Sequence, residues 1–161
     1  MITPSLLTEA RSLLTACRAR GIRLATAESC TGGLVIATLT AIAGSSDVVD
    51  CGFVAYSNQA KHEVLGVPME LLTRVGAVSD EVVRSMAEGA LHRSQAEIAV
   101  SVTGVAGPGG GTVDKPVGLV CFGLASRGQA VTGDRQVFPG DRTAIRAAAV
   151  AYVFAMVRAR T

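Results

Sequence analysis

The sequence predicts an α/β domain: a three-layer α/β/α sandwich around a mixed, mostly parallel sheet. Three observations lead there. Segments with helical apolar spacing alternate with three short apolar runs of strand character. The last two strand-like runs, joined at about Arg127-Gly128-Gln129, read as an antiparallel hairpin. At 161 residues the chain is long enough to bury one core of ordinary size. Alternation of this kind puts helices on both faces of a parallel sheet, and the hairpin makes the sheet mixed.

Thr3-Pro4 opens a helix whose Leu6, Leu7, Ala10, Leu13, Leu14 and Cys17 share one face, and Gly21 stops it. A strand is expected over about Ile22 to Ala27, then a helix from Cys30 or Thr31 to about Ile42, broken at "GSSD". "CGFVAYS" reads as the second strand and leads into the helical "NQAKHEVLG", with Asn58 as its cap. Pro68 opens a short helical piece, "MELLTRVG". Ser79, followed by Asp80 and Glu81, is a strong helix start, because a hydroxyl cap and first-turn carboxylates answer unpaired N–H groups and the helix dipole. That helix runs to about Ser94 with Val82, Val83, Met86, Ala90 and Leu91 inward. "AEIAVSVTG" is a buried strand ending at the glycine-rich "GVAGPGGGTVDKP", the hairpin follows, and a last, buried helix begins near Gly140-Asp141.

Composition excludes several classes. A hydrophobic fraction of 49% with 17% charged residues marks a compact protein. The apolar run Ala147–Val157 is too short for a membrane span, which needs about 18 residues or more. Glu9 and Arg11 interrupt the N-terminal apolar segment, so no export signal is expected and the cytoplasm is the expected location. A net charge of +2, with two tyrosines, four phenylalanines and no tryptophan, offers neither a basic stripe nor stacking aromatics for nucleic acid. Cys17, Cys30, Cys51 and Cys121 form no C-x-x-C pair, and with only His62 and His92 beside them no metal site is expected.

In such a fold, functional residues collect where strands end and loops turn into helices, here at 28–33, 56–61 and 103–116. In the first loop, Ser29 or Thr31 can be a helix cap, or Ser29 can be a nucleophile facing free N–H donors. Gly32 and Gly33 would let a substrate approach the backbone. Neither histidine has an evident acidic partner, so Lys61 is the better base: burial beside the positive end of a helix lowers a lysine pKa. A solvated Lys61 and an edge-of-core Tyr56 are the plainer readings. The third loop holds five glycines between 104 and 111, with Thr103 before them and Lys115 after. It is an anion-binding nest or a flexible surface loop. Arg142 opposes the dipole of the last helix, which invites an anionic ligand.

"AESCTGG", "GFVAYSNQAK", "GAVS", "VTGVAGPGGG", "KPVGLV" and "GDR" follow one another in this order. On these blocks the chain, from about residue 5 to 158, resembles the C-terminal domain of the CinA competence/damage-inducible proteins and the stand-alone nicotinamide-nucleotide amidases. The resemblance implies one CinA C-terminal-like amidase domain over residues 1–161. It implies deamidation of nicotinamide mononucleotide to nicotinate mononucleotide and ammonia, with no cofactor and no metal. The family nucleophile falls on Ser29, and the residues that activate it fall on Tyr56 and Lys61. Cys30, Thr31, Gly32, Gly33, Thr103, Gly104, Gly107 and Arg142 fall on the substrate-binding segments, with Arg142 toward the phosphate. Cys30 becomes a companion of the nucleophile, and Glu28 an anchor that accepts backbone N–H groups. The alternative is a catalytically silent nucleotide-binding regulatory module, but such a module has no use for a nucleophile and its base. The expected partner is a small nucleotide, with neither nucleic acid nor membrane, and an isologous dimer is the default assembly.

Overall fold

The computed structural model describes residues 2–161. Helix α1 spans Pro4–Ala19, with the Thr3 hydroxyl accepting from the Leu6 N–H and Leu6, Ala10, Leu13, Leu14 and Cys17 buried. Strand β1 (Leu24–Glu28) is buried throughout, and α2 (Leu34–Thr40) and a 3-10 turn at Ser45–Asp47 lead to β2 (Val49–Val54). Helices α3 (Asn58–Leu65), α4 (Met69–Val75) and α5 (Asp80–His92) follow, then β3 (Ile98–Gly104). The hairpin β4 (Leu119–Ser126) and β5 (Thr132–Val137) precedes α6 (Arg142–Arg158).

The five strands order as β2-β1-β3-β4-β5. β1 pairs in parallel with β2 and β3, while β4 is antiparallel to both β3 and β5. β5 therefore points the same way as β1 to β3, and only β4 is reversed. Helices α1, α2 and α6 cover one face over Leu24, Val100, Val102, Val120 and Phe122. Helices α3 to α5 cover the other face over Ala25, Ala27 and Ala99. The small residues on this second face let the helices lie close to the sheet. The order of strand addition reverses at β1, since β2 lies on one side of it and β3 on the other, and the crevice at such a switch point is where open α/β sheets place their sites.

Three local expectations are corrected. The helix after β1 begins at Leu34, not at Cys30 or Thr31, because Gly32 (φ 58) and Gly33 (φ 90) are left-handed and hold residues 29–33 in a turn; neither Ser29 nor Thr31 is its cap. Helix α3 is capped by the Ser57 hydroxyl, which accepts from the Ala60 N–H, and Asn58 is its first helical residue. The run Ala147–Val157 buries one face only, through Ala149, Val150, Val153, Phe154 and Val157, with Ala155 exposed. Among the described residues no helix is long and apolar enough to cross a membrane.

Helix α3 reaches its position through one close approach. A Cβ on Gly89, inside α5, would lie 1.9 Å from the carbonyl oxygen of Leu65 at the end of α3. Ordinarily Gly→Ala inside a helix gains about 1 kcal/mol. Here the clash is with main chain, and overpacking of this kind costs about 1–3 kcal/mol. Gly89→Ala is expected to lower the melting temperature by a few degrees. Gly109→Ala, with no atom within 4 Å of the new Cβ, should leave it unchanged. Thermal unfolding followed by circular dichroism tests both; a Gly89→Ala protein as stable as the parent would disprove the close approach.

Candidate active site

Successive side chains of a strand point to opposite faces. At the end of β1 this sends Glu28 one way and Ser29 the other. Glu28, fully buried, turns to α2: its Oε2 accepts from the Thr31 hydroxyl (2.7 Å) and the Val35 N–H (3.0 Å), and its Oε1 accepts from the Ile36 N–H (2.8 Å). This carboxylate does the work of the missing helix cap, reaching the free N–H groups from the preceding strand. Ser29 turns to α3. Its N–H donates to the Val102 carbonyl (2.9 Å), which fastens the loop to β3, and its hydroxyl meets Lys61.

Lys61 is 1% exposed, and its Nζ lies 3.0 Å from Ser29 Oγ, 3.0 Å from the Ala55 carbonyl oxygen and 3.4 Å from that of Tyr56. The position follows from the local chain: Ser57 caps α3, and Lys61 is its fourth residue, so the side chain runs back over the strand-to-helix junction. Burial pushes the Lys61 ammonium below its ordinary 10.5. The neighbouring thiol of Cys30 would oppose this only if ionised. Carbonyl oxygens can only accept, so a neutral Lys61 gives its two N–H bonds to Ala55 and Tyr56. Its lone pair is left for the Ser29 hydroxyl. Of the three contacts, only the one to Ser29 can reverse direction.

Cys30 continues the alternation back into the core beneath α2 and α6, 7% exposed, and burial pushes its thiol up to about 12. It is a protonated, packed side chain at neutral pH. Thr31 is fully buried. Among the described residues no main-chain carbonyl accepts from the N–H groups of Cys30, Thr31 or Gly33, and the Gly32 N–H closes the turn onto the Ser29 carbonyl (3.0 Å).

The remaining expected residues form the surroundings. The Tyr56 side chain is 61% exposed, and its hydroxyl accepts from Arg142 Nη2 (3.1 Å); only its carbonyl touches Lys61. Arg142 also donates through Nη1 to the buried Gly107 carbonyl (2.9 Å), so the guanidinium bridges the second and third loops. A cleft of about 510 Å³ includes Pro108, Val117 and Arg142 in its lining. The Thr103 hydroxyl donates to the Ala77 carbonyl (3.1 Å), holding the "GAVS" segment on β3, and Gly104 ends that strand opposite Val120. One residue not identified from the sequence also reaches the site: Arg146 Nη2 donates to the Thr31 carbonyl (2.6 Å). Its signal was the spacing from Arg142, since residues four apart share a helix face. No three His, Cys, Asp or Glu side chains among the described residues are grouped to hold a metal ion.

The family model described as the CinA C-terminal domain matches residues 7–161. The chain belongs to the CinA C-terminal domain family. It is 52% identical over 137 residues to the nicotinamide-nucleotide amidohydrolase PncC of Enterobacter agglomerans, covering 85% of this chain and 84% of that one. Over 147 residues it is 52% identical to a competence-damage inducible protein of Symbiobacterium thermophilum, and it spans 34% of that longer relative. Among solved structures it matches the competence/damage inducible protein CihA from Agrobacterium tumefaciens with a TM-score of 0.95 and 47% identity, covering 99% of this chain and 97% of that one.

Two stability predictions follow from the buried charges. Glu28→Gln replaces one acceptor oxygen with an NH₂ that faces N–H donors, leaving a buried donor unsatisfied. It should cost about 2–3 kcal/mol, read as a lower urea midpoint at unchanged slope. Lys61 has the opposite sign. Its folded pKa lies below the 10.5 of the unfolded chain, so the burial penalty is complete below the folded pKa and is relieved as pH rises toward 10.5. Lys61→Met should therefore stabilise the fold at neutral and acidic pH, with a gain that fades as pH approaches 10.5. A gain independent of pH would show that Lys61 is not buried as a titrating group.

Proposed function

We propose that this protein is an amidohydrolase that deamidates nicotinamide mononucleotide to nicotinate mononucleotide and ammonia, with Ser29 as nucleophile and Lys61 as its base. The observation that carries the reading is the buried Lys61 Nζ, 3.0 Å from Ser29 Oγ and otherwise facing two main-chain carbonyls. Membership of the CinA C-terminal domain family and 52% identity to a protein named nicotinamide-nucleotide amidohydrolase support the substrate class.

Ser29 Oγ bonds to the amide carbonyl carbon as its proton passes to the Lys61 lone pair. The oxyanion that forms is assigned to N–H groups of the 29–33 turn that no main-chain carbonyl takes, first that of Cys30, the residue after the nucleophile. When the intermediate collapses, the C–N bond breaks, Lys61 returns the proton to the departing nitrogen, and ammonia leaves. Water then attacks the nicotinoyl ester on Ser29 with Lys61 again accepting a proton, the acyl C–Oγ bond breaks as Lys61 returns that proton to Ser29 Oγ, and nicotinate mononucleotide is released. Arg142, set between Gly107 and Tyr56, supplies positive charge for the phosphate end. Tyr56 contributes its carbonyl to the orientation of Lys61 and its phenol to that of Arg142.

Ammonia release from nicotinamide mononucleotide by the purified protein tests the reading. Ser29→Ala should lower kcat by at least about 10³-fold while the protein still binds nucleotide, and Cys30→Ala should cost far less. Lys61→Arg keeps the charge but cannot become neutral, so it should fail as badly as Lys61→Ala. In the parent enzyme kcat/KM should rise with pH through one ionisation below 10.5, since Lys61 must lose its proton to act, and that limb should vanish in both variants. An active Ser29→Ala protein, or a fully active Lys61→Arg protein, would overturn the assigned roles.

A further inference from the structure

Arg146 is a second cation of α6 beside Arg142, directed at the serine loop, and nothing in the chemistry above uses it. It lies one turn beyond Arg142 on the same helix, half-buried, with Nη2 2.6 Å from the Thr31 carbonyl oxygen. Its Nε is buried and has no hydrogen-bond partner among the described residues. A guanidinium with an unpaired buried N–H works against stability, and such groups call for an explanation outside the fold. The carbonyl it holds is already an acceptor, taking the Leu34 N–H at 3.1 Å, so the turn could close without Arg146.

Thr31 is gripped at both ends. Its hydroxyl donates to Glu28, and its carbonyl accepts from Arg146. Between these anchors run the peptides of residues 29–33, in which no main-chain carbonyl accepts from the N–H groups of Cys30, Thr31 or Gly33. Two left-handed glycines make this turn pliable, Gly32 and Gly33, and a Cβ on Gly32 would sit 3.7 Å from Arg146 Nη2, so the guanidinium lies directly behind the loop. Donors that stabilise an oxyanion act through being fixed before charge develops. Resting on the Ser29 nucleophile proposed above, we infer that Arg146 is a positioning residue: it locks the 29–33 turn so that its free N–H groups face the developing oxyanion. The same helix carries Arg142 one turn earlier, so a single rigid element sets both the anion-binding charge and the oxyanion donors.

The test uses the full chain and a fluorophosphonate, which is attacked at phosphorus by an activated serine with loss of fluoride and places an oxyanion-like oxygen in the same position. Ser29 labelling is followed by mass spectrometry in the parent, Arg146→Lys and Arg146→Met, at a temperature where circular dichroism shows each folded. Arg146→Met should label about 100-fold more slowly, the order of effect of losing one oxyanion donor. Arg146→Lys, which keeps one donor on a shorter reach, should fall between. If Arg146→Met does not fold, the Lys variant alone decides, with a loss of about tenfold expected. The rise of labelling rate with pH should keep its midpoint in every variant, because Lys61 is untouched and only the plateau drops. With nicotinamide mononucleotide the same loss should appear in kcat with KM within about threefold. Labelling of a folded variant at the parental rate, a displaced pH midpoint, or an effect confined to KM would each overturn the positioning role. A parent that labels at Ser29 yet leaves nicotinamide mononucleotide intact would sink the substrate assignment and leave the Arg146 comparison standing; a parent that never labels at Ser29 would sink both.

Discussion

A lysine amine withdrawn from water and facing one hydroxyl and two main-chain carbonyls is the constraint around which this domain is arranged. Removing an ammonium from water is costly, and the cost is least when the group is neutral. Lys61 is placed so that neutrality is useful. The carbonyls of Ala55 and Tyr56 take its N–H bonds, and Ser29 takes what remains. Holding that arrangement needs β2 to end where it does, α3 to be capped at Ser57, and α3 to press against α5 at Gly89. The small residues Ala25, Ala27 and Ala99 on this face of the sheet serve the same end, since bulkier side chains would lift α3 and carry the amine away from the serine.

The opposite face has a different task. Glu28 gathers three donors from the turn and from α2, and Arg146 approaches the same turn from α6. One side of the sheet thus carries the Ser29–Lys61 contact and the other the groups that hold the 29–33 turn. Arg142 joins the two at the rim by bridging Gly107 and Tyr56.

Much of this was legible in the sequence where a residue acts within its own segment. Thr3, Ser79 and Asp141 cap the helices they precede, and the mixed sheet with helices on both faces was implied by the alternation of helices and strands. Errors came where a distant group settled a local choice. The helix after β1 begins late because Glu28 takes over its first N–H groups, leaving Ser29 and Thr31 free of capping. Ser57 displaced Asn58 as a cap because the extended conformation ends one residue earlier, at Ser57. Arg146 gives no sign of its partner within its own segment, since its meaning depends on a carbonyl 115 residues away in the chain. Tyr56 shows the limit of residue type as a guide: its carbonyl touches Lys61, while its phenol turns to Arg142.

Serine and cysteine stand next to each other at the end of β1, and intrinsic reactivity would favour the cysteine, whose thiolate is the stronger nucleophile. Position along the strand reverses that preference. The two-residue period that directs Ser29 toward α3 directs Cys30 into the core under α2 and α6, where burial drives the thiol up to about 12 and leaves it protonated. The hydroxyl, inherently the poorer nucleophile, is the one given a base. Had the strand ended one residue later in phase, the thiol would meet Lys61 and the serine would be packed away. Which of two adjacent side chains meets the buried amine is therefore decided by the pleat of the sheet, with Val102 fixing that phase through its hydrogen bond to the Ser29 N–H.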